Sequence, residues 1–171
     1  IGHRRPYLVS TVHSSRVRHE SDKDVLRELT PHMDRLIAVS QAIERKIRDE
    51  GRDTVPVTLI YNGVDLERYD HQEACCTLPE EYGMEPGSQI VGVVARLEPE
   101  KGHPTLIEAW PKVLRAVPDS YLLIVGEGSR RDALEAQARE LRIAHRVVFT
   151  GRRDDVPAVT AALDVAVLPS Y

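Results

Sequence analysis

Arg96 and Lys101 stand in one short loop, Arg96-Leu97-Glu98-Pro99-Glu100-Lys101-Gly102, between an apolar run and a helix-period segment opening at Pro104. Two fixed cations beside the free N–H groups of a helix N-terminus form a site for a diphosphate. The same residues also fit an ordinary solvated loop. Gly126 and Gly128 follow the next apolar run, where glycine permits positive φ and close approach of a ligand, or simply serves the turn. Glu127 between them has the chemistry to accept a hydrogen bond from a ribose hydroxyl, or to stand as a plain exposed acid. Gly151, after Phe149 and Thr150, offers a tight exit from a strand or room for a base against bare backbone. His13 ends the first apolar run; it suits contact with a sugar or phosphate, and equally a structural role.

The elements that must position these residues alternate between apolar runs and helix-period segments, the pattern of a parallel α/β fold. Strands are expected at Tyr7–Val12, Leu36–Val39 and Val57–Tyr61, then at Gln89–Ala95, Tyr121–Val125, Arg146–Phe149 and Asp164–Leu168. Ser40 caps a helix that Gly51 closes. Pro104 suits the first turn of a helix with Leu106, Ile107, Trp110, Val113, Leu114 and Val117 inward, and Pro111 should kink or break it. Ser129 with Asp132 resembles a capping box before a helix carrying Leu134, Ala138 and Leu141. Asp155 caps a short helix running through Leu163. From Gln89 onward the order is β-α-β-α-β-α-β, a doubly wound pattern, with ligands expected outside the carboxyl ends of the strands. The stretch 71–88, with Pro79, Gly83, Pro86 and Gly87 and little periodicity, reads as a linker.

Composition sets the outer limits. The 171 residues are 42% hydrophobic and 29% charged, adequate for a buried core, and the formal net charge of -4 gives no general affinity for nucleic acid. Residues 1–70 carry twelve basic and twelve acidic side chains, so the remainder holds the whole acidic excess and must gather positive charge locally to bind an anion. Cys75 and Cys76 are adjacent, too few for a zinc site and poorly placed to bridge each other; a reduced, cytoplasmic chain is expected. No apolar run approaches the ~18 residues of a membrane span, and no signal peptide is visible. The loop after Ala95 lacks the G-x-G-x-x-G of dinucleotide-binding domains, and no P-loop, G-x-S-x-G elbow or H-E-x-x-H is present. A phospho-receiver domain would place acids where Arg96 and Lys101 stand.

Several runs together resemble one family: Val91–Gly102 with its Ala-Arg-Leu-Glu-Pro-Glu-Lys-Gly, Leu123–Gly128, Val148–Gly151 and Leu163–Ser170 in the second half, with Leu36–Ser40, Ile60–Asp65 and Thr11–His13 in the first. They resemble, in order and over nearly the whole chain, the retaining glycosyltransferases of the GT-B fold, family 4, the "glycosyl transferases group 1" type. The resemblance implies two Rossmann-like doubly wound domains facing across a cleft. Residues 1–70 would be the back part of the N-terminal, acceptor-side domain, 71–88 the linker, and 89–171 most of the C-terminal donor-binding domain. It implies a nucleoside-diphosphate sugar as donor and a carbohydrate or lipid-linked acceptor, with no metal and no cofactor. Arg96 and Lys101 would hold the diphosphate and neutralise the leaving group, His13 would approach the sugar, Gly126 and Glu127 would line the donor site, and Phe149 and Gly151 would pass near the base. Asn62-Gly63-Val64-Asp65 would be a hinge turn.

The family's E-x7-E motif is expected to begin within a few residues of Pro169-Ser170, and the sequence ends at Tyr171. The front of the acceptor domain with its Gly-rich loop, and the helix that crosses back between domains, are also missing from the pattern. The resemblance therefore implies a piece incomplete at both ends that transfers nothing alone. Its rivals are a non-catalytic nucleotide-sugar-binding module, another GT-B activity such as a nucleotide-sugar epimerase, and an interaction domain with no ligand. Arg4-Arg5 and Arg16–Arg18 raise peripheral contact with an anionic membrane at its inner face.

Overall fold

The computed structural model describes residues 5–14, 20–70 and 77–170. The chain divides into two compact units, Ile1–Val64 and Asp65–Tyr171.

In the first unit, β1 (Val9–Val12), β2 (Arg35–Ala38) and β3 (Val57–Leu59) form a parallel sheet in the order β1-β2-β3. Helices α1 (Glu20–Leu29) and α2 (Gln41–Asp49) make the crossovers. Ser40 Oγ accepts the Ile43 N–H at 3.2 Å, satisfying one orphan donor of α2. Ile43 and Ile47, one turn apart, bury against Leu36 and Ala38 of β2. Gly51 takes φ 67° past the end of α2, as expected for a residue that turns the chain there. β1 begins two residues later than the apolar run suggests. The Asp34 carboxylate takes the Leu8 N–H at 2.8 Å and both terminal nitrogens of Arg5 at 2.7 and 3.0 Å. The Leu8 N–H first, and then Arg5, hold this carboxyl below its ordinary range.

In the second unit, α3 (Glu67–Asp70) and α4 (Leu78–Glu81) precede four parallel strands. These are β4 (Gln89–Val94), β5 (Ser120–Val125), β6 (Val147–Gly151) and β7 (Val165–Ala166), in the order β6-β5-β4-β7. Between them lie α5 (His103–Ala116), α6 (Arg131–Glu140) and α7 (Val156–Ala161). Ile107 and Trp110 of α5 and Leu134 and Ala138 of α6 bury against Val93, Leu122 and Ile124. Leu78, Met84 and Val159 bury against Ile90, Leu123 and Val125 on the other face. β5, covered on both sides, is buried at all six positions, the reason it reads as an unbroken apolar run.

Five expectations meet a different arrangement. The stretch taken as a linker over 71–88 is, in its described part, built into the second unit: Leu78 and Met84 are core residues, held by the Met84 N–H to Pro79 carbonyl bond at 2.7 Å. Cys75 and Cys76 lie outside the described residues. Pro111 does not break α5, which runs from His103 to Ala116; burial of Ile107 and Trp110 offsets the roughly 3 kcal/mol cost of an internal proline. Ser129 forms no capping box, because Glu98 takes both its N–H and its hydroxyl. Asp155 stands at the N-cap of α7 without capping it, its carboxylate being bound to Arg153, and that helix ends at Ala161, short of the expected Leu163. Finally, β7 is two residues long. Asp164 Oδ2 accepts the Ile90 N–H at 2.7 Å and anchors its start, while Leu168 is 76% exposed. Among the described residues no helix is long and apolar enough to cross a membrane.

Candidate functional site

The second sheet runs from β4 to β5 to β6 in one direction and then returns to place β7 on the other side of β4. The strand order therefore reverses at β4, and in open parallel sheets the crevice outside the carboxyl end at such a reversal is where ligands bind. A cavity of about 260 Å³ lies there. Its walls are Val94, Ala95 and Arg96 from the end of β4, Val125, Gly126 and Glu127 from the end of β5, and Arg152, Arg153 and Val156 from the β6–α7 connection.

Of the residues singled out in the sequence, Arg96, Gly126 and Glu127 share this cavity. Lys101 ends the single 3₁₀ turn Pro99–Lys101 of the same loop, one residue before the uncapped N-terminus of α5. The Arg96 side chain is 70% exposed, and its pairing with Glu100 is loose at 3.4 Å. A cation held this lightly is available to an incoming anion. Gly151 borders the same region: a Cβ added there would lie 3.7 Å from Glu127 Oε1 and 3.5 Å from Arg131 Nη1. The Phe149 ring belongs elsewhere. It lies 5.9 Å from the Arg131 guanidinium and lines a separate cavity of about 190 Å³ with Ala138 and Val147, leaving its carbonyl, bound by Arg131 Nη2 at 3.4 Å, as its polar contact. His13 lies in the first unit, exposed just beyond β1, on the wall of a cavity of about 300 Å³ with Val12, Ile43 and Lys46.

The glycines resolve differently from each other. Gly126 has φ 137°, donates its N–H to the Gly151 carbonyl at 2.9 Å, and packs so closely that an added Cβ would collide with the Ala95 carbonyl. A Cβ on Gly128 would lie 2.5 Å from the Leu97 carbonyl oxygen. The space over Gly126 is filled by the backbone at Ala95, the end of β4, and that over Gly128 by the backbone of Leu97 in the Arg96–Lys101 loop. That loop is tied down through Leu97, whose N–H donates to the Glu127 carbonyl at 2.9 Å and whose carbonyl accepts the Arg130 N–H at 3.1 Å.

Arg152 and Arg153 were not singled out from the sequence, and adjacent arginines after a strand are the signal that could have found them. Arg153 donates to Asp155 at 2.8 and 2.7 Å, to Glu81 at 2.7 Å and to the Tyr82 hydroxyl at 2.9 Å. It holds the Asp155 and Glu81 carboxyls below their ordinary range, and these partners raise its own pKa further. Arg153 is thus a fixed wall, whereas Arg152 is exposed and pairs with Asp154 only at 3.6 Å. His103, at the first position of α5, is buried with neither ring nitrogen partnered among the described residues; burial, and then the Lys101 charge, push its pKa down.

Comparison with known proteins bears on this arrangement. Residues 77–171 match the family described as Glycosyl transferases group 1, and residues 1–68 match Glycosyltransferase Family 4. A GDP-mannose-dependent alpha-(1-6)-phosphatidylinositol monomannoside mannosyltransferase of Mycolicibacterium smegmatis is 37% identical over 110 residues, 63% of this chain and 28% of its own. A glycogen synthase of Mycobacterium tuberculosis is 31% identical over 181 residues, 96% of this chain and 41% of its own. The crystal structure of HepE from Anabaena in complex with UDP superposes with a TM-score of 0.80 at 26% identity, over 96% of this chain and 47% of that one. The chain thus spans less than half the length of each.

Proposed function

The chain belongs to the glycosyl transferases group 1 family, and from that premise we propose that its second unit holds the nucleoside diphosphate of a sugar donor. The observation that carries the reading is the cavity at the carboxyl ends of β4 and β5, with lightly held Arg96 on its wall and Lys101 in the same loop. Arg96 and Lys101 stabilise the charge that develops on the diphosphate as the glycosidic bond breaks, so the residues themselves supply what a metal would otherwise supply. Glu127 and the Gly151 backbone serve the ribose and base. In the whole protein the reaction is transfer of the sugar to a carbohydrate or lipid-linked acceptor with retention of configuration. For His13 we propose a part in transfer itself.

Relatives named for GDP-mannose and a similar structure in complex with UDP support a nucleoside diphosphate while leaving its base to be measured. UDP, GDP and ADP are titrated by calorimetry into the natural full-length protein and its Arg96→Ala and Lys101→Ala variants. One nucleotide is expected to bind, and either substitution to weaken it by about 1.5–3 kcal/mol, the scale of a charge-assisted hydrogen bond. Binding that ignores both substitutions sinks the assignment. His13→Ala is expected to lower kcat while leaving nucleotide affinity in place, and the anomeric configuration of the product, read by NMR, tests retention. Of the arginines raised for membrane contact, Arg4 and residues 16–18 lie outside the described residues, and Arg5 is already bound to Asp34. Co-sedimentation with anionic vesicles at low salt tests that separate proposal, and no binding ends it.

A further inference from the structure

Glu98 lies between the two cations in sequence, and its carboxylate is engaged with neither in the structure. Oε1 accepts the Ser129 N–H at 3.2 Å and Oε2 accepts the Ser129 hydroxyl at 2.9 Å. Its backbone is bonded toward both cations: the Glu98 N–H donates to the Arg96 carbonyl at 2.9 Å, and the Glu98 carbonyl accepts the Lys101 N–H at 3.0 Å. With the two Leu97 bonds to Glu127 and Arg130, this clamp fastens the β4–α5 loop to the start of α6, where a carboxylate is also favoured by the helix dipole.

We propose that Glu98 is a positioning residue: by gripping Ser129 it fixes where Arg96 and Lys101 stand, a role that rests on the donor-site reading of this loop. Charge alone predicts the opposite effect on binding. A carboxylate near a diphosphate site repels the ligand, so its removal should tighten binding. A clamp that preorganises two cations does the reverse, because without it the ligand must bear the cost of ordering the loop. The sign of the change therefore separates the two.

UDP, GDP and ADP are titrated by calorimetry into the natural full-length protein and its Glu98→Ala, Glu98→Gln, Ser129→Ala and Arg96→Ala variants, and Tm is recorded for each. Glu98→Ala is expected to weaken the bound nucleotide roughly fivefold or more, the range over which contacting groups couple. Ser129→Ala should weaken it in the same direction, and the Glu98→Ala/Ser129→Ala pair should be no worse than Glu98→Ala alone. Glu98→Gln keeps one acceptor and should recover part of the loss. In an Arg96→Ala background, Glu98→Ala should cost less than it does alone. If Glu98→Ala does not fold, Ser129→Ala and Glu98→Gln carry the same comparison. Unchanged or tighter binding in these variants, while Arg96→Ala still weakens it, overturns the positioning role alone. Absence of nucleotide binding in the unsubstituted protein, or an Arg96→Ala variant that binds as well, overturns the donor-site reading and the positioning role with it.

Discussion

Substituting glycines with alanine separates two reasons for their presence after β5. Gly126 has φ 137°, a region that costs other residues about 1–3 kcal/mol. Its added Cβ would also overlap the Ala95 carbonyl, with the Ala95 carbonyl carbon only 3.0 Å away. Relief requires moving Ala95, whose N–H donates to Val125 at 3.0 Å, or Gly126, whose N–H donates to Gly151 at 2.9 Å; each bond is worth about 1 kcal/mol. Gly126→Ala should therefore cost about 2–4 kcal/mol. At Gly128 φ is not positive, so only crowding acts, an added Cβ lying 2.5, 2.6 and 2.7 Å from the Leu97 carbonyl oxygen, carbonyl carbon and nitrogen, and overpacking of that kind costs about 1–3 kcal/mol. Gly83 is the complementary case, with φ 62° and open space around it. Strain of about 1–2 kcal/mol there is partly offset by the stiffer unfolded chain, for a net cost near 0.5–1 kcal/mol. Gly63 has neither constraint and should be neutral. Urea unfolding of the natural full-length protein, with nucleotide affinity measured alongside, reads the series. A Gly128→Ala protein as stable as the parent but unable to bind nucleotide would refute the reasoning, because it would mean that the open face of the glycine serves the ligand and not the neighbouring loop.

Two further predictions concern acid. Arg153→Ala should cost about 1 kcal/mol near neutral pH, a figure kept low because Glu81 and Asp155 are both more than a third exposed. Because Arg153 depresses both carboxyls, its contribution is present above the ordinary carboxylate range, near pH 4, and is lost as pH falls through the lowered folded values. The acid limb of the unfolding curve should therefore be shallower in the variant, and an unchanged limb would refute this. His103 has its pKa lowered from 6.5, so the unfolded chain takes up the proton first. Its effect is absent above about pH 6.5 and destabilises as pH falls below it. His103→Leu should lose less stability between pH 7 and pH 5 than the parent, and an equal loss would refute the assignment.

What sequence reading recovered, and what it did not, follows from the range of the interactions involved. β5 was legible because both its faces are covered, and α2 because Ser40, Ile43 and Ile47 lie within two turns of one another. Arg96, Gly126 and Glu127 line one cavity because the carboxyl ends of neighbouring parallel strands lie together whatever the side chains are. Three of the failures involve partners that periodicity does not link. Ser129 carries the local signature of a cap, yet its hydroxyl is claimed by Glu98, 31 residues away. Asp155 carries the same signature and is claimed by Arg153, which also reaches back 72 residues to Glu81. Leu78 and Met84 sit in a stretch without period, where only their burial against β4 and β5 reveals them as core. In each case a group with an ordinary local role found a stronger partner that periodicity does not indicate: Glu98 for Ser129, Arg153 for Asp155, and the strands β4 and β5 for Leu78 and Met84. The two cations of the β4–α5 loop were therefore readable from local pattern, and the long-range bonds that hold that loop in place were not.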